Sequence, residues 1–192
     1  MNIIWKADWY KVRNKIHLKT GILTKIALCT AVMCIIGPVS VPIPISPVPI
    51  SLTQLGIYFA VYALGYKYAL ISVLVYILIG SIGLPVFSGF MGGVNRLIGP
   101  TGGYLLGFIF LTLILGYFID KYECNKGFVI LGFILGNSAC YIFGSLWLSF
   151  QSNISVISAF MIGCIPYIPA DIIKSVMAFI IGPKIKNISN IK

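Results

Sequence analysis

Apolar runs that approach the length needed to cross a lipid bilayer occupy most of this 192-residue chain. A spanning helix needs ~20 predominantly apolar residues. Only 9% of the residues are charged, against about a quarter in ordinary soluble domains. The sequence therefore predicts an all-α membrane protein of one domain, residues 1–192, with no room for a separate soluble domain. We place its six transmembrane helices at about 21–36, 52–66, 68–83, 103–119, 127–149 and 169–182.

The positive charges predict how these helices are oriented. Twelve of the fourteen lysines and arginines lie in residues 1–25, in the connections between helices 2 and 3 and between helices 4 and 5, or in the C-terminal tail. Lysine and arginine mark cytoplasmic segments. We therefore expect a cytoplasmic N-terminal segment, residues 1–20, a bundle over 21–182 and a cytoplasmic tail, 183–192. The net charge of +10 reflects this orientation in the bilayer and does not indicate a nucleic-acid partner.

The alternate connections, which this topology places outside, are long and almost uncharged. Residues 37–50 contain five prolines and residues 84–103 are rich in glycine and proline, so neither is expected to be regular helix. Residues 150–166 include a short apolar piece that lies at the surface or re-enters the membrane. Apolar loops avoid water, and non-helical backbone at membrane depth must be buried or line a cavity. These loops therefore predict a pocket open to the outside.

Asp171 and Lys174 are the two charged residues that this topology places inside the membrane. Their i, i+3 spacing puts them on one face of the last helix. One interpretation is structural: Pro169 begins the helix, and Asp171 compensates its positive end while pairing with Lys174. The other is functional, because intramembrane ionisable residues usually mark a binding site. In that interpretation they bind a small polar ligand.

Other candidate residues carry weaker indications. Arg96, beside Asn95, is the lone cation of the outer connections and either attracts an anionic group or caps a loop. Tyr104 ends a Gly-Pro-Thr-Gly-Gly-Tyr turn, where it either allows close packing or contacts a ligand. Two pairs of glycines with four-residue spacing, Gly103/Gly107 and Gly132/Gly136, predict close helix packing.

Several kinds of chemistry have no motif in this sequence. It contains no P-loop, no HExxH and no GxSxG motif, and its single histidine and five cysteines lack metal-ligand spacing. We therefore expect no enzyme activity, no cofactor and no metal site. If the chain carries out uphill transport, the energy must come from a partner.

Four sequence blocks resemble the BioY family, the biotin-specific substrate-binding (S) components of energy-coupling factor (ECF) transporters. The resemblance spans about residues 20–182, with Ala170 replacing a glycine that is usual in the family. The blocks are Pro47-Val48-Pro49-Ile50-Ser51-Leu52-Thr53-Gln54, Gly83-Leu84-Pro85-Val86-Phe87-Ser88-Gly89, Gly99-Pro100-Thr101-Gly102-Gly103-Tyr104-Leu105 and Pro166-Tyr167-Ile168-Pro169-Ala170-Asp171-Ile172-Ile173-Lys174.

This resemblance implies the ECF S-component fold and high-affinity capture of biotin at a bacterial cell membrane. It also implies assembly with a transmembrane T component and two cytoplasmic ATPases. Ala27 and Ala31 match an Ala-x-x-x-Ala motif that meets the T component. The expected ligand-binding residues are Asp171, Lys174, Asn95, Arg96, Tyr104, Phe87, Trp147, Tyr167 and Gly89.

Three alternatives remain open. An S component for another vitamin would share the fold. A membrane-embedded enzyme would need a nucleophile and base that the sequence lacks. A membrane assembly subunit would need Asp171 and Lys174 only as a salt bridge.

Overall fold

The computed structural model describes residues 4–122 and 125–189, with side chains from Thr20 onward. Expectations about the charges of residues 1–19, about Cys124 and about Lys192 lie outside the described side chains. The regular elements of the described part are two short strands, seven helices and a 3-10 turn at Ile165–Tyr167, which joins the last two helices. They are α1 Ile4–Ile36, β1 Ser40–Ile43, β2 Ser46–Ser51, α2 Thr53–Ser81, α3 Val94–Ile98, α4 Gly102–Lys121, α5 Lys126–Ser152, α6 Val156–Gly163 and α7 Ile168–Ser189.

Helix α2 is a hairpin of two helical limbs that reverse direction at Gly65. Gly65 has φ 71° and ψ 170°, a conformation that glycine adopts at little cost. The hydroxyls of Thr53 and Tyr76 lie 3.4 Å apart, whereas 23 residues of continuous helix would separate them by ~34 Å. The two limbs, residues 53–64 and 66–81, correspond to predicted helices 2 and 3. With α1, α4, α5 and α7, they make six apolar helical limbs among the described residues.

One end of the bundle, here called the basic end, collects most of the described cations. The ammonium of Lys25 donates to the carbonyl of Ser189 at 2.5 Å, and the Ser189 hydroxyl donates to the carbonyl of Ala63. The Tyr66 amide donates to Asp120 Oδ2 at 3.1 Å, which brings the end of α4 to the α2 reversal. These contacts bring together, at one end, described parts of α1, the α2 reversal, α4 and α7 that the charge argument assigns to the cytoplasmic side. The described cations of these segments are Lys25, Lys67, Lys121, Lys126, Lys184 and Lys186.

The opposite end, here called the loop end, is covered by the proline-rich and glycine-rich connections. Residues 37–50 contain the antiparallel pair β1–β2, with Ser40 opposite Ser51. The prediction of no regular helix holds for this segment. Residues 84–103 are mostly irregular as predicted, but the five-residue helix α3 forms within them. Residues 150–166 hold the short helix α6, which lies within the apolar piece that the sequence analysis distinguished there.

Two helices extend beyond their predicted ends. Helix α1 begins at Ile4, where we predicted a span beginning near residue 21. Helix α7 continues through Pro183 to Ser189, beyond the predicted end at 182. Charged residues end an apolar run without ending a helix, because lysine and arginine favour helical backbone. Hydropathy therefore locates the part of a helix inside the membrane and underestimates its full length.

The glycine pairs lie where α4 and α5 pack against each other, which confirms their predicted role in helix packing. A Cβ atom on Gly107 would lie 2.9 Å from Cys140 Sγ, and one on Gly136 would lie 2.9 Å from Leu111 Cδ1. Small residues allow helix backbones to approach closely, which is the main source of packing energy between helices in lipid.

The Gly103→Ala substitution should destabilise this helix pair. The added Cβ would lie 2.2 Å from Trp147 Cβ and 2.8 Å from the Phe143 carbonyl oxygen, so backbone must move. We expect a loss of ~1–3 kcal/mol, measured as a lower thermal unfolding midpoint in detergent. Gly21→Ala is the matched control, because its Cβ would meet no atom within 4 Å. Equal midpoints for the two variants would contradict this packing.

Candidate functional site

A cavity at the loop end lies between the β1–β2 hairpin and the ends of α2, α4, α5 and α7. It is partly open to solvent. Its lining consists of Val48, Pro49, Ser51, Thr53, Gln54, Phe87, Ser88, Arg96, Thr101, Tyr104, Leu105, Phe108, Cys140, Tyr141, Tyr167, Asp171 and Lys174.

Asp171 and Lys174 form an ion pair on the wall of this cavity. Lys174 Nζ lies 2.7 Å from Asp171 Oδ1, and each side chain is only 6% exposed. The i, i+3 spacing in the first turns of α7 brings the two groups together, as the sequence predicted. A charge at membrane depth costs ~2.5–3.5 kcal/mol on insertion scales, so mutual neutralisation helps to keep both groups there.

The carboxylate has partners beyond Lys174. The Tyr141 hydroxyl donates to Asp171 Oδ2, and one orientation of the Gln54 amide donates to Oδ1 at 2.8 Å and to Oδ2 at 3.2 Å. Groups from α2, α5 and α7 therefore converge on one carboxylate. A pair kept only to stabilise the bundle needs no adjoining cavity, whereas this pair lies on the wall of one.

Aromatic hydroxyl groups fix the walls around the cavity. Tyr167 donates to the carbonyl of Val48, and its hydroxyl oxygen lies 2.7 Å from the Ser46 hydroxyl, which joins the 3-10 turn after α6 to the β1–β2 hairpin. Tyr104 donates to the Gly163 carbonyl at 2.6 Å and so holds α6 against α4. Polar ends that bond to backbone leave the apolar rings free to face a ligand.

Phe87 lies almost completely buried in the second outer connection. Its ring meets the Tyr76 ring edge-on, with centroids 5.6 Å apart. A Cβ on Gly80 would lie 2.1 Å from the Phe87 ring, so a glycine is required beneath it. Phe87 therefore forms a firm apolar part of the cavity wall.

The structure brings together six of the nine predicted ligand-binding residues. Asp171, Lys174, Arg96, Tyr104, Phe87 and Tyr167 all line the cavity.

The other three candidates lie beside the cavity rather than on its described lining. The Trp147 indole donates to the Gly99 carbonyl at 2.9 Å and so supports the turn before α4. Gly89 donates its amide to Pro38 at 3.0 Å and has φ 76°. Asn95 accepts the Gly99 amide through its backbone carbonyl at 2.8 Å. These contacts support the loops, and ligand contact by the three residues stays a prediction.

Gln54 and Tyr141 are the site residues that sequence reasoning missed. Gln54 ends the first sequence block, but nothing there shows that it reaches a helix more than 100 residues away. Tyr141 is one of eleven tyrosines in the chain, and it lies on a mainly apolar helix. Their only distinguishing feature is their three-dimensional proximity to Asp171.

Ala27 and Ala31 do not line the ligand cavity. They lie in an exposed groove on the side of the bundle. The groove runs between α1 and the second limb of α2, and its lining is almost entirely apolar. Thr30 lies between them on α1 but turns inward and bonds to Ser72 Oγ at 2.8 Å. The two alanines therefore mark a place where another apolar helix can approach closely.

This arrangement is suited to binding, not to bond cleavage. The cavity combines apolar walls, a carboxylate that accepts hydrogen bonds, an ammonium that donates them, and Arg96 as a second cation. Such a set recognises a largely apolar small molecule that carries N–H donors, a carbonyl acceptor and an anionic group.

Comparison with known proteins gives a consistent result. The BioY family model matches residues 11–190. "Biotin transporter BioY" of Thermotoga maritima is 35% identical over 166 residues, covering 86% of this chain and 96% of the relative. "Biotin transporter BioY" of Lactococcus lactis subsp. cremoris is also 35% identical, over 174 residues, covering 88% of this chain and 92% of the relative.

A solved structure has the same fold. The crystal structure of the S-component for biotin from an ECF-type ABC transporter matches with a TM-score of 0.82 and 34% identity. The match covers 89% of this chain and 93% of that one. The predicted fold class, an all-α membrane protein with the ECF S-component fold, is confirmed. The chain belongs to the BioY family.

Proposed function

We propose that this chain is the biotin-binding S component of an ECF-type transporter. The main support for this proposal is the cavity on whose wall Asp171 and Lys174 form an ion pair. The chain also shares its family and fold with biotin transporters. The chain acts as a transporter component rather than an enzyme, and biotin is its transported ligand rather than a cofactor.

The chemistry of biotin matches the cavity group by group. Its ureido ring carries two N–H donors and one carbonyl acceptor, which suit Asp171 and Lys174 respectively. Its thiophane ring and aliphatic chain suit the apolar walls formed by Phe87, Tyr104 and Tyr167. Hydrogen bonds to charged groups contribute ~1.5–3 kcal/mol each, so the ureido contacts supply much of the affinity.

Two cations compete for the biotin carboxylate. Lys174 binds either the ureido carbonyl or the carboxylate. Arg96 lies on α3 at the loop end, and its position on the cavity lining suits an anionic group arriving from outside. We assign the carboxylate to Arg96 because Lys174 is already paired with Asp171 deeper in the wall.

Transport requires partners that supply energy. We propose that a transmembrane T component docks on the groove that contains Ala27 and Ala31, and that two cytoplasmic ATPases drive the assembly. The basic end then faces the cytoplasm and the loop end faces outward, in a bacterial plasma membrane. The collection of described cations at one end of the bundle supports this orientation.

Isothermal titration of the purified chain with biotin tests the proposed ligand. We expect saturable binding of one biotin per chain in the nanomolar range. Riboflavin and thiamine serve as competitor vitamins in parallel titrations. Binding of either of these, with no binding of biotin, would support the alternative of an S component for another vitamin. Absence of binding by all three would favour the assembly-subunit alternative.

A further inference from the structure

Asn137 is a partly buried polar side chain on α5 that does not belong to the lining of the ligand cavity. It lines a groove between α5 and α7 that shares Tyr141 and Asp171 with the cavity and is otherwise mainly apolar, with side chains such as Ile134 and Ile172. A polar group at membrane depth is costly unless its hydrogen bonds are satisfied.

Three hydrogen-bonding groups surround the Asn137 amide. Tyr58 Oη lies 2.7 Å from one end of the amide, and the Gln54 amide lies 3.3 Å from the same end. Ser175 Oγ lies 3.3 Å from the other end and 3.5 Å from Tyr58 Oη. Asn137 thus joins α2, α5 and α7 in one polar cluster, defined here as Gln54, Tyr58, Asn137 and Ser175.

This cluster touches the ligand site through Gln54. The Gln54 amide can point its oxygen or its nitrogen at Asp171. Pointing the oxygen there would place it 2.8 Å and 3.2 Å from the two carboxylate oxygens, with the Lys174 ammonium 3.4 Å away as its donor, which is unfavourable. Pointing the nitrogen there gives hydrogen bonds of 2.8 Å to Oδ1 and 3.2 Å to Oδ2. The Asp171 carboxylate therefore favours the orientation in which the Gln54 nitrogen points toward it.

The selected orientation places a requirement on Asn137. The Gln54 oxygen then faces Asn137, which must present its NH₂ group to it. The same NH₂ group also meets Tyr58 Oη, and the Asn137 oxygen accepts from the Ser175 hydroxyl. With Gln54 turned this way, the opposite orientation of Asn137 would place two amide oxygens 3.3 Å apart, so the orientations of Asn137 and Gln54 are coupled.

We propose that Asn137 is a positioning residue for biotin binding, which acts through Gln54 to hold its NH₂ group on Asp171. This inference rests on the proposed function, because its consequence is measured on biotin. With Gln54 fixed, the carboxylate has a defined orientation and presents its remaining lone pairs to the ureido N–H groups. Lys174 then donates no hydrogen bond to the Gln54 oxygen, so its N–H groups are available to Asp171 and the ligand.

A double-mutant cycle on biotin affinity tests this coupling. Asn137→Leu is expected to weaken biotin binding about tenfold in the otherwise unchanged chain, because it removes the amide that orients Gln54. In the Gln54→Leu background, the same change should alter affinity by less than about twofold. Ser138→Ala is the matched control, since Ser138 lines the same groove one residue further along. It should leave biotin affinity unchanged.

Two outcomes would overturn the inference. One is an unchanged affinity in Asn137→Leu, and the other is an equal loss in both backgrounds, which indicates a merely structural role. If Asn137→Leu does not fold in detergent, Asn137→Ser replaces it and must show the same dependence on Gln54. Failure of the unchanged chain to bind biotin would instead contradict the proposed function.

Discussion

Replacing Asp171 by asparagine is expected to weaken biotin binding by ~100-fold or more. The substitution keeps the shape of the side chain but removes the charge that accepts from the ureido N–H groups, and such hydrogen bonds contribute ~1.5–3 kcal/mol each. It also leaves Lys174 in the cavity wall without its ionic partner, 2.7 Å away in the unchanged chain. Isothermal titration or equilibrium binding of labelled biotin measures the loss.

A matched control tests whether the loss of biotin affinity is specific to Asp171 or would follow the removal of any carboxylate. Asp120→Asn makes the same chemical change at the basic end, where Asp120 is exposed and accepts the Tyr66 amide. Biotin affinity should be unchanged in that variant. Nanomolar affinity retained by Asp171→Asn would contradict the assignment of the carboxylate to the ligand.

Unfolding is a further concern, because breaking a buried ion pair costs ~3–5 kcal/mol. The double variant Asp171→Asn/Lys174→Met removes both charges and so leaves neither unpaired. We expect it to unfold at a temperature close to that of the unchanged chain while failing to bind biotin. Recovery of binding in this variant would show that the pair serves stability alone.

Replacing Ala27 or Ala31 by tryptophan is expected to abolish biotin uptake without changing biotin affinity. Both alanines are exposed on the groove between α1 and the second limb of α2, far from the cavity lining. An indole there would fill the groove and prevent a partner helix from approaching. Uptake is measured in cells that express the chain together with its T component and ATPases, and affinity is measured on the purified chain.

Leu28→Trp is the matched control for this prediction. Leu28 lies on the same helix and is 64% exposed, but it does not belong to the groove lining. Uptake by this variant should match that of the unchanged chain. Normal uptake by Ala27→Trp and Ala31→Trp, or an equal loss in Leu28→Trp, would contradict the assignment of the groove to the T component.

The features that were predictable from sequence depend on local composition. Apolar runs locate the helical limbs because burying them in lipid is the dominant energetic term. The break between the second and third limbs falls at Gly65, one residue before the predicted end of the second span at 66. Asp171 and Lys174 stand out because charges within apolar helices are rare and costly. Their mutual contact follows directly from i, i+3 spacing.

The features that sequence reasoning missed depend on contacts between distant segments. The β1–β2 hairpin was not foreseen, because prolines argue against helix without specifying strand pairing. Gln54 and Tyr141 converge on Asp171 only after α2, α5 and α7 have packed. The bond from the Trp147 indole to the backbone of the turn before α4 was likewise not foreseen, and its contact with a ligand stays a prediction.

A structure of this chain with biotin bound tests the central claim most directly. We expect the bicyclic ring system in the loop-end cavity, with ureido nitrogens about 2.7–3.2 Å from Asp171. We also expect Lys174 within hydrogen-bonding distance of the ligand or of Asp171, and the carboxylate toward Arg96. Biotin bound elsewhere, with the Asp171–Lys174 pair making no contact to it, would contradict the account.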